Sequence, residues 1–555
     1  MAVFSTLARA VDPITAISTL FALLSSFLFY KAYLLPNYLS PLRHIPGPPT
    51  KSKHNKYNLP FLGNFLDIIK EEAGVPHRRW IEQYGGIVCY GGLFNRRRIL
   101  IADPKAIQHV FNTHSYKYPK PQNLIRLLGE VIGHGVLLAE GDAHRKQRKM
   151  LNPAFSHKHI KDMVHIMAGP AELLGRQWEE RIDRSGEKPF ELDITGDLGS
   201  CTLDIIGLSG FGYDFQALTN PDNEMSMAYR ELFYKETTPS QFLRFFVPYY
   251  SKIPTQANID RAKAIKTIDR VTMQIIHEKR ALVKDAKGSE EEDNSKDLMS
   301  ILVRGNEQVG SLEDGKLTDT ELKDQIMTFL AAGHETTSVT VTWMLHVFSI
   351  YPEVQRKVRQ EMLAHIGRPT ESNKSPLAYD ALNALPYLNA CVKELLRFIP
   401  PVPTTSRVAS EDDTILGYDI PKGTQVFLAP AALHKLKSVY GEDAEEFKPE
   451  RWMDPSTLTE EQRKSTKFVT SEMSWAYQPF ITGPRNCIGS KFATIETKII
   501  LYYLLINLEY HPVPGFKFKK TSRITWRPFP GMNLIIKRFS DDRNNNSNDA
   551  TLVEP

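Results

Sequence analysis

Cysteine is scarce in this chain: four among 555 residues, at Cys89, Cys201, Cys391 and Cys487. No two are close enough for a Cys-x-x-Cys metal site, and a chain this long does not rely on a disulfide scaffold. Each therefore begins as a small buried apolar residue, a default that any chemical role must displace. An excess of one charge is also missing. Lys+Arg number 69 and Asp+Glu 64, a balance of +5, which over this length implies no nucleic-acid partner. Apolar residues make up 42% and charged residues 24%, and mean hydropathy is −0.32. Those values exclude a disordered, collagen-like or polytopic membrane chain. Internal repeats are absent too. Length alone would allow about three or four domains, but no linker divides the body.

Charge is locally absent over residues 14–30. As a helix this run spans about 26 Å, and extension through Lys31 to Leu35 completes a bilayer crossing, with Lys31 snorkelling to the headgroups. After it come Lys31, Arg43, Lys51, Lys53 and Lys56 with no acid before Asp67, which places the body in the cytosol. A cleaved signal peptide is the competing reading. It is disfavoured by the sparse basic start and by Tyr30-Lys31-Ala32-Tyr33, a poor cleavage site. The sequence thus divides into a short segment 1–13, an anchor 14–35, a basic proline-rich hinge 36–56, a body 57–540 and a polar, Asn-rich tail 541–555 expected to be disordered. Pro46, Pro48 and Pro49 make the hinge stiff and extended.

Within the body, short runs at 87–90, 98–101, 424–428 and 533–537 have strand character. Residues 285–297 (DAKGSEEEDNSKD) read as a surface loop. Most other segments carry helical spacing, so the body is mainly α with a smaller β part. One helix is predicted over Asp319–Ile350. Thr318 and Glu321 form a capping box at its start, and no proline intervenes before Pro352. Its segment Thr336-Thr337-Ser338-Val339-Thr340-Val341-Thr342 has strand propensity, but both flanks are helical and no turn signal interrupts.

Near the C-terminus the chain reads FITGPRNCIGSKFA. Phe480, Gly483, Arg485, Cys487 and Gly489 fit F-x-x-G-x-R-x-C-x-G, a match expected by chance about once in 10⁴ such chains. The residue types suit a thiolate ligand. Glycines let the backbone wrap the sulfur and present N–H groups, Arg485 can hold a carboxylate, Phe480 can exclude water, and a following helix contributes its dipole.

On these residues the chain resembles a cytochrome P450 of the microsomal (class II) type, a haem-thiolate monooxygenase, over about residues 44–540. The resemblance implies a large α part and a smaller β part around one buried haem b, with Cys487 as the axial iron ligand. It gives Ala332-Gly333-His334-Glu335-Thr336 as the oxygen-activation segment. There Gly333 leaves room for oxygen, and Glu335 and Thr336 deliver protons. Glu394 and Arg397 fit the family's E-x-x-R pair, which Arg451 of Pro449-Glu450-Arg451-Trp452 should join; Trp452 stands where the family has Phe. Arg407 and Arg148 are expected at the haem propionates, together with His144, which occupies a family Trp position. Arg145, Lys146, Arg148 and Lys149 form a basic patch for an acidic electron donor.

The resemblance further implies electrons from NADPH through a separate NADPH-cytochrome P450 reductase, with cytochrome b5 as an auxiliary donor. It implies a lipophilic substrate, O2, and a single-pass endoplasmic reticulum location. HRKQRKMLNPAF and LRFIPPVPTTSR resemble fungal members. Residues near 112–128, 329–332, 402–405 and 529–532 would line the pocket and suit an apolar ligand, sterol-like or terpenoid before fatty acid or xenobiotic. Two alternatives stand beside this reading: a haem-thiolate isomerase or dehydratase, and a non-catalytic haem-binding regulator. The first is disfavoured because Glu335 and Thr336 are both kept.

Overall fold

The computed structural model describes residues 12–49, 61–186, 189–233, 250–286, 296–311, 315–369, 377–522 and 524–539. The expected tail, most of the 285–297 loop, and Lys51, Lys53 and Lys56 lie outside them. Helix α1 (Pro13–Phe29) begins on a proline, and the helix continues with wider turns through Tyr30–Leu39, past Pro36. The apolar span is therefore Ile14–Leu39, with a mean hydropathy of 1.5; its most apolar stretch is unburied, and Pro36 near its end is buried. It is the one helix among the described residues long and apolar enough to cross a membrane. It ends four residues later than the sequence reading placed it. The proline-rich segment that follows is extended but not loose. Cys89 donates its N–H to the Pro46 carbonyl at 2.8 Å, and Gly47 lies so close that a Cβ would collide with the Cys89 carbonyl oxygen.

Helices build most of the body. Those that position the site are α2 (Gly141–Leu151), α3 (His157–Ser185), α4 (Ile194–Ile206), α5 (Asp319–Ile350), α6 (Pro352–His365), α7 (Pro386–Phe398) and α8 (Ser490–Leu505). Helix α5 runs through the interior and packs on α4, α6, α7 and α8. It starts on the predicted capping box: Thr318 Oγ1 accepts from the Glu321 N–H, and the Glu321 carboxylate accepts from the Thr318 N–H at 2.8 Å. Its β-branched stretch stays helical for a visible reason. The hydroxyls of Thr336, Thr340 and Thr342 donate back to the carbonyls of Ala332, Thr336 and Ser338 at 2.7, 2.7 and 2.8 Å. Val339 and Val341 are buried in the core, and this burial outweighs the weak propensity cost.

Strands form four small sheets. β1 (Ile87–Gly91), β2 (Arg97–Ile101), β4 (Thr405–Val408) and β7 (Gln425–Leu428) make one, in the order β1-β2-β7-β4, with only β2 and β7 parallel. β3 (Phe190–Asp193), β11 (Asn533–Arg538) and β8 (Leu508–Pro512) make a second, with β11 central. β5 (Asp413–Ile415) pairs with β6 (Tyr418–Ile420), and β9 (Lys519–Ser522) with β10 (Trp526–Phe529). One hydrophobic core fills the helical part around Trp178, Trp343 and Trp526; a second lies under the four-stranded sheet around Trp80 and Tyr90.

Candidate functional site

The segment around Cys487 is a tight loop feeding α8. The Cys487 N–H donates to the Phe480 carbonyl at 3.0 Å, closing the loop, and Asn486 N–H donates to Gly483 at 3.0 Å. Gly483 has φ +82°, and a Cβ there would lie 2.0 Å from the Phe111 carbonyl oxygen. Any larger residue is excluded twice, by backbone conformation and by space. Gly489 is the residue before α8, and its N–H points at the Cys487 sulfur. Phe480 packs half-buried against the helical core. Cys487 is solvent-accessible, unlike Cys89, Cys201 and Cys391. Even so, burial raises its thiol pKa above the ordinary value, while the Gly489 N–H and Arg148 pull it down. An accessible yet desolvated sulfur lines an inner surface of the protein.

Three cations converge beside this loop. Arg485 is 3% exposed. It pairs with Glu140 and donates to the carbonyls of Ser115 and Tyr118 at 3.4 and 3.3 Å. Its Nε has no hydrogen-bond partner among the described residues. Arg407, on β4, is buried over the Phe111 ring at 4.9 Å. Burial, then Arg485, lowers its pKa to about 10. Lys120 is the third cation. Burial, then Arg485 and Arg407, lowers it to about 7, although Glu140 lies 3.7 Å from its Nζ. One acid, Glu140, faces this group. His144, on α2, is buried and its Nδ1 lies 3.1 Å from the Tyr116 hydroxyl. Burial and the surrounding cations lower its pKa to about 4.

Other expected site residues sit differently from the sequence reading. Arg148 grips the residue before the cysteine, donating to the Asn486 carbonyl at 2.6 Å and to its side-chain oxygen at 2.9 Å. It fixes the loop from behind. The basic patch on α2 is largely engaged: Arg145 pairs with Asp142 and covers the Tyr116 ring, and Lys146 reaches Glu321 at 3.3 Å. Lys149 is exposed.

On α5, Ala332 is exposed and Thr336 half-buried midway along an otherwise buried helix. A Cβ on half-buried Gly333 would approach Ile206 Cδ1 to 3.2 Å, so this glycine lets α4 and α5 pack closely. The Thr336 hydroxyl donates to the Ala332 carbonyl. Glu335 turns away toward β10, where Arg527 Nη2 meets it at 2.8 Å and the Thr525 hydroxyl also donates to it.

The expected ionic cluster is present. Glu394 and Arg397, both fully buried, make two bonds of 2.8 Å, and Arg451 Nε lies 3.5 Å from Glu394. Trp452 Nε1 donates to Glu394 at 2.8 Å, which gives the Trp in the Phe position a polar task. Arg397 also donates to the carbonyls of His434, Ala444 and Glu446. His434 accepts the Gln478 N–H at 2.8 Å, so the cluster continues two residues short of Phe480.

Sequence reasoning missed Lys120 and Glu140. Neither lies in a recognisable motif, and only the folded loop brings them to Arg485. It also missed Arg527, the partner of Glu335, and Glu496 on α8. Glu496 is fully buried and accepts the Thr337 hydroxyl at 2.8 Å; burial raises its pKa to about 8.

A thiol-bearing loop, an inner surface and buried cations in excess of acid define a pocket for an anionic, thiol-ligated group. The family model described as Cytochrome P450 matches residues 54–531, and the chain belongs to that family. It is 36% identical over 514 residues to "Cytochrome P450 monooxygenase 205" of Postia placenta, covering 88% of this chain and 90% of the relative. It is 32% identical to "Cytochrome P450 monooxygenase ALT8" of Alternaria alternata, covering 92% of each chain. It is also 32% identical to "Ganoderic acid synthetase CYP5150L8" of Ganoderma lucidum, covering 88% of this chain and 90% of the relative. The protein is a haem-thiolate monooxygenase of fungal type. The residues present fit the haem this family implies. Two propionates would balance the cations that Glu140 alone leaves in excess, and they offer acceptors to Arg485 Nε.

Proposed function

We propose a membrane-anchored monooxygenase that inserts one oxygen atom of O2 into a lipophilic substrate, with electrons from NADPH through a separate reductase. The observation that carries this reading is the accessible, desolvated Cys487 sulfur beside the buried cations Lys120, Arg407 and Arg485. Cys487 would ligate the iron, and Arg485, Arg407 and Lys120 would hold the propionates. His144 backs that cation group, and Arg148 sets the loop through Asn486. Haem, when bound, supplies the binding and reductive activation of dioxygen.

The chain supplies the surroundings. Phe480 keeps water from the sulfur, and the Gly489 N–H stabilises its charge. Thr336 Oγ1, held by the Ala332 carbonyl, keeps two lone pairs for an ordered water and so directs a proton along α5. Glu335 carries protons from solvent only when its carboxylate leaves Arg527, whose side chain is 18% exposed. Proton entry therefore passes Arg527.

The substrate class we favour is a sterol-like or terpenoid skeleton in fungal secondary metabolism. The apolar residues near 112–128, 329–332, 402–405 and 529–532 support it, as does similarity to a ganoderic acid synthetase. The location in this reading is the endoplasmic reticulum membrane with the body in the cytosol, supported by the Ile14–Leu39 helix and the cations after it. In this reading the electron donor is an NADPH-cytochrome P450 reductase, with cytochrome b5 as an auxiliary.

The test is turnover with reductase, NADPH and isotopically heavy dioxygen across a lipophilic library selected by Soret-band shifts. One heavy oxygen atom in the product is expected. A product isomeric with its substrate, formed without NADPH, would overturn the reading in favour of an isomerase.

A further inference from the structure

Consecutive residues of α5 are fastened to different neighbours. Gly333 brings α4 close, with Ile206 against the place where a Cβ would stand. Glu335 is held by Arg527 of β10 and by Thr525 just before it. Between them His334, 1% exposed, reaches another element, the helix Glu224–Phe233. Its Nδ1 lies 3.1 Å from the Tyr229 hydroxyl, and the two rings meet edge to face at 4.9 Å. Tyr229 is as deeply buried as its partner. Phe233, one turn further along, stacks on the Tyr229 ring at 4.5 Å.

The direction of the Tyr229–His334 bond follows from the rest of the ring. Burial, then Arg527, lowers the His334 pKa to about 3, so the imidazole is neutral and has a single N–H. The Gly199 backbone of α4 favours a proton on the ring, which makes it the acceptor of that N–H. Nδ1 keeps its lone pair, and the Tyr229 hydroxyl donates to it. The alternative acceptor, the Leu330 carbonyl, is farther from the hydroxyl, at 3.3 Å, and stands four residues before His334, where it already serves the helix ladder. His334 therefore joins its own helix to α4 and to Glu224–Phe233.

The turn at this joint carries Thr336. Ala332 and Thr336 lie one turn apart on the face of α5 left open on an otherwise buried helix. Thr336 Oγ1 is bonded to the Ala332 carbonyl, so it moves with the helix. Threonines bonded back to their own helix tend to bend it, and Thr336, Thr340 and Thr342 are all bonded in this way. Such a turn needs support from outside, because a displacement of about 1 Å at a reacting group can cost about 10²-fold in rate.

We propose that Tyr229 is a positioning residue for the oxygen-activation turn: through His334 it couples the helix Glu224–Phe233 to residues 332–336 and keeps Thr336 where it directs protons. The proposal rests on the monooxygenase reading. It adds to that reading a residue on another helix, outside the sequence motifs.

The test uses the full chain, loaded with haem, with reductase, NADPH and O2 and no substrate. Oxygen released early leaves as hydrogen peroxide, at one NADPH per O2. Oxygen whose O–O bond is cleaved by correct protonation ends as two waters, at two NADPH per O2. NADPH, O2 and peroxide measured together give the ratio of the two paths. Tyr229→Phe removes the hydroxyl and keeps the stack on Phe233. Tyr502→Phe is the control, since it removes another buried hydroxyl, one bonded to the Gly367 carbonyl at 2.7 Å. Both variants are expected to keep the thiolate Soret band of the reduced carbon-monoxide complex. In Tyr229→Phe, backbone amide exchange over 330–337 and the peroxide-to-water ratio should each rise about two- to tenfold, the factor that one ordinary hydrogen bond represents. Tyr502→Phe should leave both at the wild-type value. Unchanged exchange or an unchanged ratio in Tyr229→Phe would overturn the proposal, as would equal effects in the two variants. His334→Leu, which leaves the Tyr229 hydroxyl the Leu330 carbonyl, should raise both quantities in the same way, and it decides the matter should Tyr229→Phe not retain haem. A wild type that binds haem but consumes no NADPH would overturn the monooxygenase reading and this role with it, while amide exchange alone would still report the tie.

Discussion

Thr336 is a hydroxyl held by its own helix, and Glu335 is a carboxylate held by a different sheet. The two neighbours therefore have separable effects. In Thr336→Ala the backbone carbonyl of Ala332 merely loses one donor, so haem content and NADPH consumption should persist. Product per NADPH should fall and hydrogen peroxide rise, by up to the roughly 10²–10⁴-fold that positioned proton transfer contributes. Peroxide and product measured against NADPH check this; unchanged coupling would leave Thr336 a packing residue. Arg527→Ala should instead free the Glu335 carboxylate and shift the pH profile of product formation while leaving the haem spectrum unchanged. At Glu394 the effect is structural. Glu394→Ala strands two buried guanidinium groups, a loss of about 3–5 kcal/mol, read as a lower denaturant midpoint and lost haem retention. At this scale the motif residues were legible because chemistry fixes their types and spacing. Lys120, Glu140 and Arg527 were not, since each acts through a contact made by distant segments.

The long helix α5 was legible end to end because its start is a local hydrogen-bond pattern and its end a proline. Thr318→Ala should remove one cap, costing about 1 kcal/mol, a small downward shift in the chemical denaturation midpoint. The strands 87–91, 97–101, 425–428 and 533–538 were legible as short β-prone runs, within a residue or two at each end, but their pairing was not. β3, β5, β6, β9 and β10 were not: at three or four residues each they carry too little pattern, β5 with β6 and β9 with β10 being short local hairpins and β3 being defined by the distant β11. The anchor was legible, but its lower end was not, because proline normally stops a helix, whereas here the turns widen past Pro36 and Asn95 and Arg97 of the body donate to the Ala32 and Pro36 carbonyls. Deleting residues 1–35 should move the protein largely to the soluble fraction with its haem spectrum intact, and loss of haem would show that the segment is not separable. Residual vesicle binding by that truncation is expected from exposed apolar side chains of the body, such as Phe61 and Phe94.

Across the whole molecule, burial sets the response to acid. His77 and His346 are lowered to about 4, and His334 and His434 to about 3, chiefly by burial. Each is neutral in the folded chain and takes up a proton on unfolding below about pH 6.5, so stability is full above that value and falls as pH drops toward 4. Glu496, raised to about 8, and Asp204, raised to about 6, act in the opposite sense, but four groups outnumber two. The melting temperature of the haem-loaded protein should therefore fall between about pH 6.5 and 4.5; a rise over that interval would contradict the burial of these imidazoles.

The central claim is that Cys487 ligates the haem iron as a thiolate, and the carbon-monoxide difference spectrum of the reduced protein tests it most directly. Wild type, and variants with Cys89, Cys201 or Cys391 replaced by Ala, should give the red-shifted Soret band characteristic of thiolate ligation. Cys487→Ala should lose that band; an unchanged band in Cys487→Ala would contradict the account.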